Sequence, residues 1–396
     1  MNMPVLERQA VISGIGQSAA GRRLGRTGLD LTLDAVLAAI ADAGLDHREI
    51  DGISSWPGYR VDAPDFSPVT ISEIKEALGL RLNWYNAGIE ATQMAGVINA
   101  CMAVASGQAR HVLCFRTVTE TSAMSQQGGR PSLIGTGGER VRGFAEYMAP
   151  FLAPSGANWV GLIASRYFHE FGARREQLAQ IAINARRNAG LNPAAIYRDP
   201  LTLDAYMQAR MISTPLCLYD CDIPIDGSIA VIVSHASTAR DLKSKPIRVE
   251  AMSGALHTRD SWDQLDDLTR FSAEGCGKQL WARTDLKPHD VDMAQLYDGF
   301  SFLTWLWLEG LGFCQRGEAP DFVGDGSRIA LDGELPMSTG GGQLSAGRLH
   351  GMIHVVEAVT QLRGQGGARQ IPGDPRVAVV SNGGGPIAGA MLLTSD

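Results

Sequence analysis

The chain has 396 residues, 45% hydrophobic and 19% charged, which supplies a large buried core and argues against wholesale disorder. Its 35 Lys and Arg against 42 Asp and Glu leave a net charge of −7, which argues against a general nucleic-acid binder, since that needs a basic face to displace counterions. No run of about 18 uncharged apolar residues offers a membrane span, and at roughly 150 residues per domain the length predicts two to three domains.

Glu7 and Arg8 interrupt the N-terminus, which lacks the apolar core and cleavage site of a secretory signal. The apolar run from Val5 to Ile15 reads as a strand. Leu31, Leu33, Val36, Leu37 and Ile40 then recur at helical spacing and stop at Gly44. Asp46 and Glu49 have capping-box spacing. Ala91 to Ser106 is apolar on every side, the pattern of a helix buried at the centre of a domain, and His111 to Arg116 reads as a buried strand. Ser122 to Gly143 holds six glycines with Arg130, Arg140 and Arg142 and reads as a long functional loop. Helices are predicted over Trp159 to Phe171 and Glu176 to Ala189. Pro215 to Gly227 reads as irregular and Ile229 to Ser234 as a strand. The six cysteines (Cys101, Cys114, Cys217, Cys221, Cys276 and Cys314) are scattered, as free thiols in a reducing cytoplasm would be. Cys217 and Cys221 lack the second ligand pair that zinc needs, so no metal is predicted.

The second half repeats the first. Residues 43–51 correspond to 284–292, and the apolar helix and strand of 91–114 correspond to those of 351–381. The period is too long for a solenoid and predicts two duplicated α/β halves with helices covering mixed sheets. In such a duplication two central helices bring their N-termini, with unpaired amides, to one cleft. The places to look are therefore Asn86 to Thr92, Ser338 to Gly351, Leu296 to Phe300 and Ser381 to Pro386.

The glycine-rich segment Ser338 to Gly351, the strand end Ser381-Asn382-Gly383-Gly384-Gly385 and the segment Cys221-Asp222-Ile223-Pro224-Ile225-Asp226-Gly227-Ser228 resemble the lipid-transfer, or sterol-carrier-type, branch of the thiolase superfamily. The resemblance covers nearly the whole chain. It implies an α/β thiolase fold of two duplicated halves in five layers (αβαβα). The N-terminal half would comprise 1–118 plus 205–245, an inserted loop domain 119–204, and the C-terminal half 246–396.

The departures from that pattern bear on chemistry. Where a thiolase has its nucleophilic Cys the chain has Glu90, and Cys101 lies about three turns further along the helix. Gly-His-Pro is replaced by Gly347-Arg348-Leu349, the second catalytic Cys by Ser381, the Asn-Glu pair by Tyr297-Asp298, and the Asn before the glycines by Ser338. Covalent acyl transfer needs a nucleophile with an activating base, and a glutamate cannot replace the thiolate. Retro-aldol cleavage of a β-hydroxyacyl-CoA needs only proton transfer and an oxyanion site.

Steroid side-chain aldolases of this branch resemble the chain in having Tyr at the position of Tyr297. The second Tyr of that pattern is replaced by Arg348. The resemblance implies a carbon–carbon lyase acting on a branched β-hydroxyacyl-CoA with a steroid or other polycyclic acyl group. Tyr297 and His350 would be the acid–base groups, with Asp298 orienting them. Arg348 and Gly384 or Gly385 would bind the oxyanion, Glu90 would tune the cleft, and Ser381, Asn382 and Ser338 would line it.

Each residue has an alternative reading. Tyr297 suits a core phenol, Asp298 a helix cap, His350 a solvated cap, and Glu90 a helix cap or the ion-pair partner of Arg348. Asp222 and Asp226 read as turn caps, His354 as packing, and Trp305 and Trp307 as core. The resemblance further implies no cofactor beyond the coenzyme A of the substrate, a homodimer formed through the N-terminal sheets, and a separate OB-fold, zinc-ribbon partner chain. An acyltransferase with a relocated nucleophile and a non-catalytic acyl-CoA-binding subunit are the competing classes.

Overall fold

The computed structural model describes residues 5–59, 63, 65–88, 92–127, 145–259 and 261–395. Strand β1 (Ala10–Gln17) leads into helix α1 (Gly28–Ala43), which Thr27 caps by accepting from the amide of Asp30 and which ends at Gly44 with φ of 75°. The buried stripe Leu31, Ala35, Val36, Ala39 and Ile40 seats α1 on the sheet. Close approach requires Gly16, where a Cβ would lie 2.2 Å from the carbonyl oxygen of Ala35. Strands β2 (Gly52–Ser55) and β3 (Trp84–Ala87) follow, then helix α2 (Ala95–Ala105) and strand β4 (His111–Thr119). The central helix thus begins later than the apolar run suggests, and Glu90 lies outside the described residues.

Helix α3 (Glu120–Gln127) occupies the start of the segment read as a glycine-rich loop, whose residues 128–144 lie outside the description. Helices α4 (Gly156–Phe171) and α5 (Arg175–Gly190) fall close to their expected bounds. Strands β5 (Asp226–His235) and β6 (Ile247–Ala255) follow, then α6 (Ser272–Trp281), β7 (Met293–Gln295), α7 (Ser301–Gly310), α8 (Met352–Leu362), β8 (Val377–Gly383) and β9 (Ala388–Thr394).

The nine strands form one sheet in the order β3-β2-β4-β5-β1-β6-β9-β8-β7. Outward from the antiparallel β1–β6 seam (Val11 opposite Arg248, Ile12 opposite Ile247), both directions repeat one pattern. Two antiparallel pairings are followed by a parallel one: β1–β5, β5–β4 and β4–β2 on one side, β6–β9, β9–β8 and β8–β7 on the other. Even β3 has its counterpart, a parallel bridge between Ala294 and Met337 beyond β7. Half of the capping box of Asp46 and Glu49 recurs in the second half, where Asp290 accepts from the Lys287 amide at 2.8 Å, each closing a short 3-10 turn before a strand. The duplication read from these segments is therefore a property of the backbone.

Three hydrophobic clusters define the layers. α1 packs on the outer face of the first half through Val36, Ile40, Ile53 and Ile232. α2 and α8 share the central layer, where Val97 and Val104 join Val355 and Val359 between the two inner faces. α6 and α7 cover the outer face of the second half, and α4 and α5 belong to the same cluster. The helices between β4 and β5 are thereby built into the core of the C-terminal half. Trp305 and Trp307 are both fully buried, and the Trp307 indole donates to the carbonyl of Gly383 at 3.0 Å. No helix of the described residues is long and apolar enough to cross a membrane.

His111 opens β4 with its Nδ1 2.7 Å from the Ser234 hydroxyl. Burial, helped by Arg110, holds its pKa below the ordinary histidine value. The unfolded chain then takes a proton near pH 6.5, while the folded chain takes it only at lower pH. Stability from this group is full above about pH 6.5 and is lost as the pH falls from there through the folded-state value. Urea midpoints should drop between neutral and mildly acidic buffer, and His111→Gln should make that drop smaller.

Candidate active site

Four segments distant in sequence meet around Tyr297. It follows β7, and its amide donates to the Ser381 hydroxyl of β8 at 3.0 Å. Gln93, just before α2, donates from Nε2 to the phenolic oxygen at 2.9 Å. The neighbouring Thr92 donates to Oδ1 of Asn382 at 3.0 Å. One dipeptide therefore fixes both the phenol and the first residue after Ser381. Gln343 also lies beside the phenol and favours its ionised form, though neither of its amide side-chain atoms reaches hydrogen-bond geometry with a described residue.

The phenol is 6% exposed. Burial first, and the negative field of Asp222 second, push its pKa up, and this outweighs the opposite effects of Gln93 and Arg348. Tyr297 therefore keeps its proton well beyond neutral pH and is a proton donor in the resting state.

Arg348 is the charged centre of the site. Its Nε and Nη2 donate to Glu120 at 3.1 and 2.5 Å, and its Nη1 donates to Asp222 at 3.0 Å. All three side chains are at most 10% exposed. Burial works against its charge, but Asp222 and Glu120 prevail and raise its pKa. The guanidinium is thus committed to two carboxylates, which is not the oxyanion role expected of it; Glu90, its other expected partner, lies outside the described residues. Asp222, read from the sequence as a turn cap, belongs to this site. Asp226 does cap, accepting from the amides and hydroxyls of Thr121 and Ser122.

Asp298 is fully buried and does not cap α7, whose start at Phe300 has no side-chain cap. It instead accepts from the amides of Gln343 (3.0 Å) and Leu344 (3.4 Å), anchoring the glycine-rich turn. That turn needs Gly342, with φ of 56° and a position where a Cβ would lie 1.9 Å from Oδ2 of Asp298. His354 places Nε2 3.1 Å from Asp298 Oδ1, outside good hydrogen-bond geometry, and stands edge-on to the Tyr297 ring with centroids 6.2 Å apart. His354, read from the sequence as packing, thus lies between the Asp298 carboxylate and the Tyr297 ring without a hydrogen bond from Nε2 to a described residue.

His350, two residues before the start of α8, is 4% exposed and has φ of 44°. Its Nδ1 accepts from Arg116 of β4 at 3.1 and 3.2 Å, which rules out the solvated cap. The Gly384 amide is corrected too. Gly384 donates its N–H to the carbonyl of Ile387 at 3.1 Å, closing the β8–β9 hairpin, and the Gly385 carbonyl accepts from the amide of Ser272. Ser338 uses its carbonyl to hold Gly341 and Asn188. Among the described residues no three His, Cys, Asp or Glu side chains gather as a metal site.

Residues 254–394 match the family described as thiolase C-terminal domain-like. Over all of its length the chain is 36% identical to a steroid side-chain-cleaving aldolase of Thermomonospora curvata, whose own length is covered completely. The chain belongs to the thiolase superfamily, in its sterol-carrier-type aldolase branch. A lyase of Mycobacterium tuberculosis, 17-hydroxy-3-oxo-4-pregnene-20-carboxyl-CoA lyase, is 35% identical over 98% of this chain and 100% of that one. The solved Ltp2-ChsH2(DUF35) aldolase superimposes with a TM-score of 0.86 at 33% identity, covering 99% of each chain. As a member of this branch the protein is a carbon–carbon lyase. Its fold is the five-layered thiolase fold.

Proposed function

We propose that the protein cleaves a branched β-hydroxyacyl-CoA, with a steroid or similar polycyclic acyl group, into a ketone and a shortened acyl-CoA. The observation that carries this reading is the buried, protonated Tyr297 phenol in the field of Asp222, whose carboxylate Arg348 holds at 3.0 Å. In this reaction Asp222 takes the β-hydroxyl proton. The Cα–Cβ bond breaks, its electron pair passing to the thioester as an enolate while the Cβ–O bond becomes the ketone carbonyl. The Tyr297 proton goes to Cα, and Asp222 returns its proton to the phenolate. Arg348 keeps Asp222 anionic at the start of the cycle, and Gln93 and Ser381 hold Tyr297 in place. Run in D2O, the reaction should place one deuterium at Cα of the acyl-CoA product and none on carbon in the ketone.

A relocated nucleophile is disfavoured at five of the six thiols. Burial pushes Cys101 and Cys276 up to about 12 and Cys217 up to about 11, and raises Cys114 and Cys314 as well. Alkylation of Cys101 and Cys314 in the native protein at neutral pH should be slow, should accelerate on unfolding, and should be indifferent to acyl-CoA. Rapid labelling that acyl-CoA blocks would favour the acyltransferase.

The assembly and setting complete the proposal. A homodimer is supported by β3, which stands at the sheet edge with Tyr85 72% exposed. A separate OB-fold, zinc-ribbon partner is supported by the solved aldolase, whose name joins two components. All six cysteines are free thiols, in keeping with a cytoplasmic enzyme.

A further inference from the structure

We propose that Gln343 is the second donor to the phenolic oxygen of Tyr297, engaged once that oxygen has given up its proton, and that it speeds the cleavage by stabilising the phenolate. The inference rests on the lyase reading, in which Tyr297 delivers its proton to Cα. It starts from an imbalance in the site. Gln343 is fully buried, yet both polar atoms of its carboxamide lack a hydrogen-bond partner among the described residues. Leaving a buried donor unpaired is costly, and such a group in a folded protein calls for an explanation.

The backbone of Gln343 is held from two sides. Its amide donates to Oδ1 of Asp298 at 3.0 Å, and its carbonyl accepts from the amide of Ile223 at 3.1 Å. Both contacts belong to the surroundings of the phenol. Asp298 follows Tyr297, and Ile223 follows Asp222, whose own amide donates to the carbonyl of Gly299 at 3.1 Å. The phenol folds back over Gly299, where a Cβ would lie 2.8 Å from its oxygen. Gln343 itself sits in a wide π-helical turn, Gly342–Ala346, a geometry found mostly at functional sites.

The resting phenol does not need a second donor. Gln93 already donates to it from Nε2 at 2.9 Å, and a neutral phenol keeps its own proton. A phenolate is a stronger and less easily satisfied acceptor, and hydrogen bonds to a charged oxygen are roughly twice as strong as neutral ones. Gln343 lies beside the phenol and favours its ionised form without reaching good hydrogen-bond geometry. Its donor is thus weakly engaged in the ground state and available where charge develops, which is the condition for lowering a barrier. Neighbouring donors do not fill this place. Each nitrogen of the Arg348 guanidinium donates to Glu120 or Asp222. Asn382 also keeps Nδ2 unpaired, but that nitrogen faces Gly351, where a Cβ would lie 2.0 Å from it. The charged or titratable groups around the phenol are Asp222, Arg348, Arg116 and, edge-on to the ring, His354 with Asp298 behind it.

Difluorotyrosine placed at position 297 ionises nearer neutral pH than tyrosine and reports on the phenolate without substrate. In the full chain carrying it together with 15N-glutamine, ionisation should move the side-chain amide signals of two glutamines, Gln93 and Gln343. A single moving signal overturns the proposal without any further variant having to fold. In Gln343→Leu the acid ionisation constant of the difluorophenol should fall about 10–10²-fold, the worth of a hydrogen bond to a charged group, and in Gln343→Glu it should fall further. An unchanged constant overturns the proposal. With tyrosine at position 297, Gln343→Leu should lower kcat about 10–10²-fold while KM for the acyl-CoA stays the same. Matching losses of kcat and acyl-CoA affinity would make Gln343 a packing residue, and the inference falls. Absence of carbon–carbon cleavage in the wild type would overturn the lyase reading, while the spectra still decide the hydrogen bond.

Discussion

Tyr297→Phe is expected to lower kcat for carbon–carbon cleavage by about 10²–10⁴-fold, the range for loss of a positioned acid–base group. The change removes one oxygen from a ring that is otherwise packed against the core and leaves the amide contact to Ser381 untouched. Folding and acyl-CoA affinity should therefore change little. The oxygen removed is the acceptor of the Gln93 amide, so Gln93→Ala should reproduce part of the loss by freeing the phenol. Stopped turnover with unchanged binding of the CoA thioester would identify the phenol as a chemical participant. Equal loss of binding would make it a packing residue.

The second large effect concerns stability. Arg348→Met removes the cation that two buried carboxylates, Glu120 and Asp222, share across 228 and 126 positions of sequence. Removing one partner of a buried ionic group costs about 3–5 kcal/mol, because the remaining charge stays desolvated and unpaired. Urea unfolding should show that loss. The double variant Arg348→Met with Glu120→Gln should recover part of it, since one of the two stranded charges is gone. If Arg348→Met is as stable as the wild type, Arg348 is not the keystone that its contacts indicate.

What could be read from the sequence was local or periodic. The helix stop at Gly44, the paired capping turns at Asp46 and Lys287, and the apolar runs of the two central helices lie within stretches of a dozen or so residues, and the fold follows from them. Tyr297 and Arg348 could be picked out because they occupy places where the family pattern has other chemistry. The partners could not. Glu120, Arg116 and Asp222 meet Arg348 and His350 only because the β1–β6 seam folds the two halves together. No spacing rule in one strand or helix anticipates a contact across 234 positions. Asp222 looked like a turn residue because its local sequence is one; the signal for it was its place in the segment that carries the family resemblance. The backbone amide of Gly384 failed as an oxyanion donor for a related reason. Glycine after a strand signals a tight turn as readily as an open cradle, and here the turn uses the Gly384 amide for itself.

The most direct test offers the purified enzyme, with and without a co-expressed OB-fold partner, a steroid acyl-CoA with a tertiary β-hydroxyl group and, separately, acetoacetyl-CoA with free CoA. Products are read by mass spectrometry. Ketone and shortened acyl-CoA from the first substrate alone, abolished by Tyr297→Phe, are the predicted result. Acetyl-CoA from the second would contradict it, because that reaction requires a nucleophilic thiolate, which the proposed cleavage does not use.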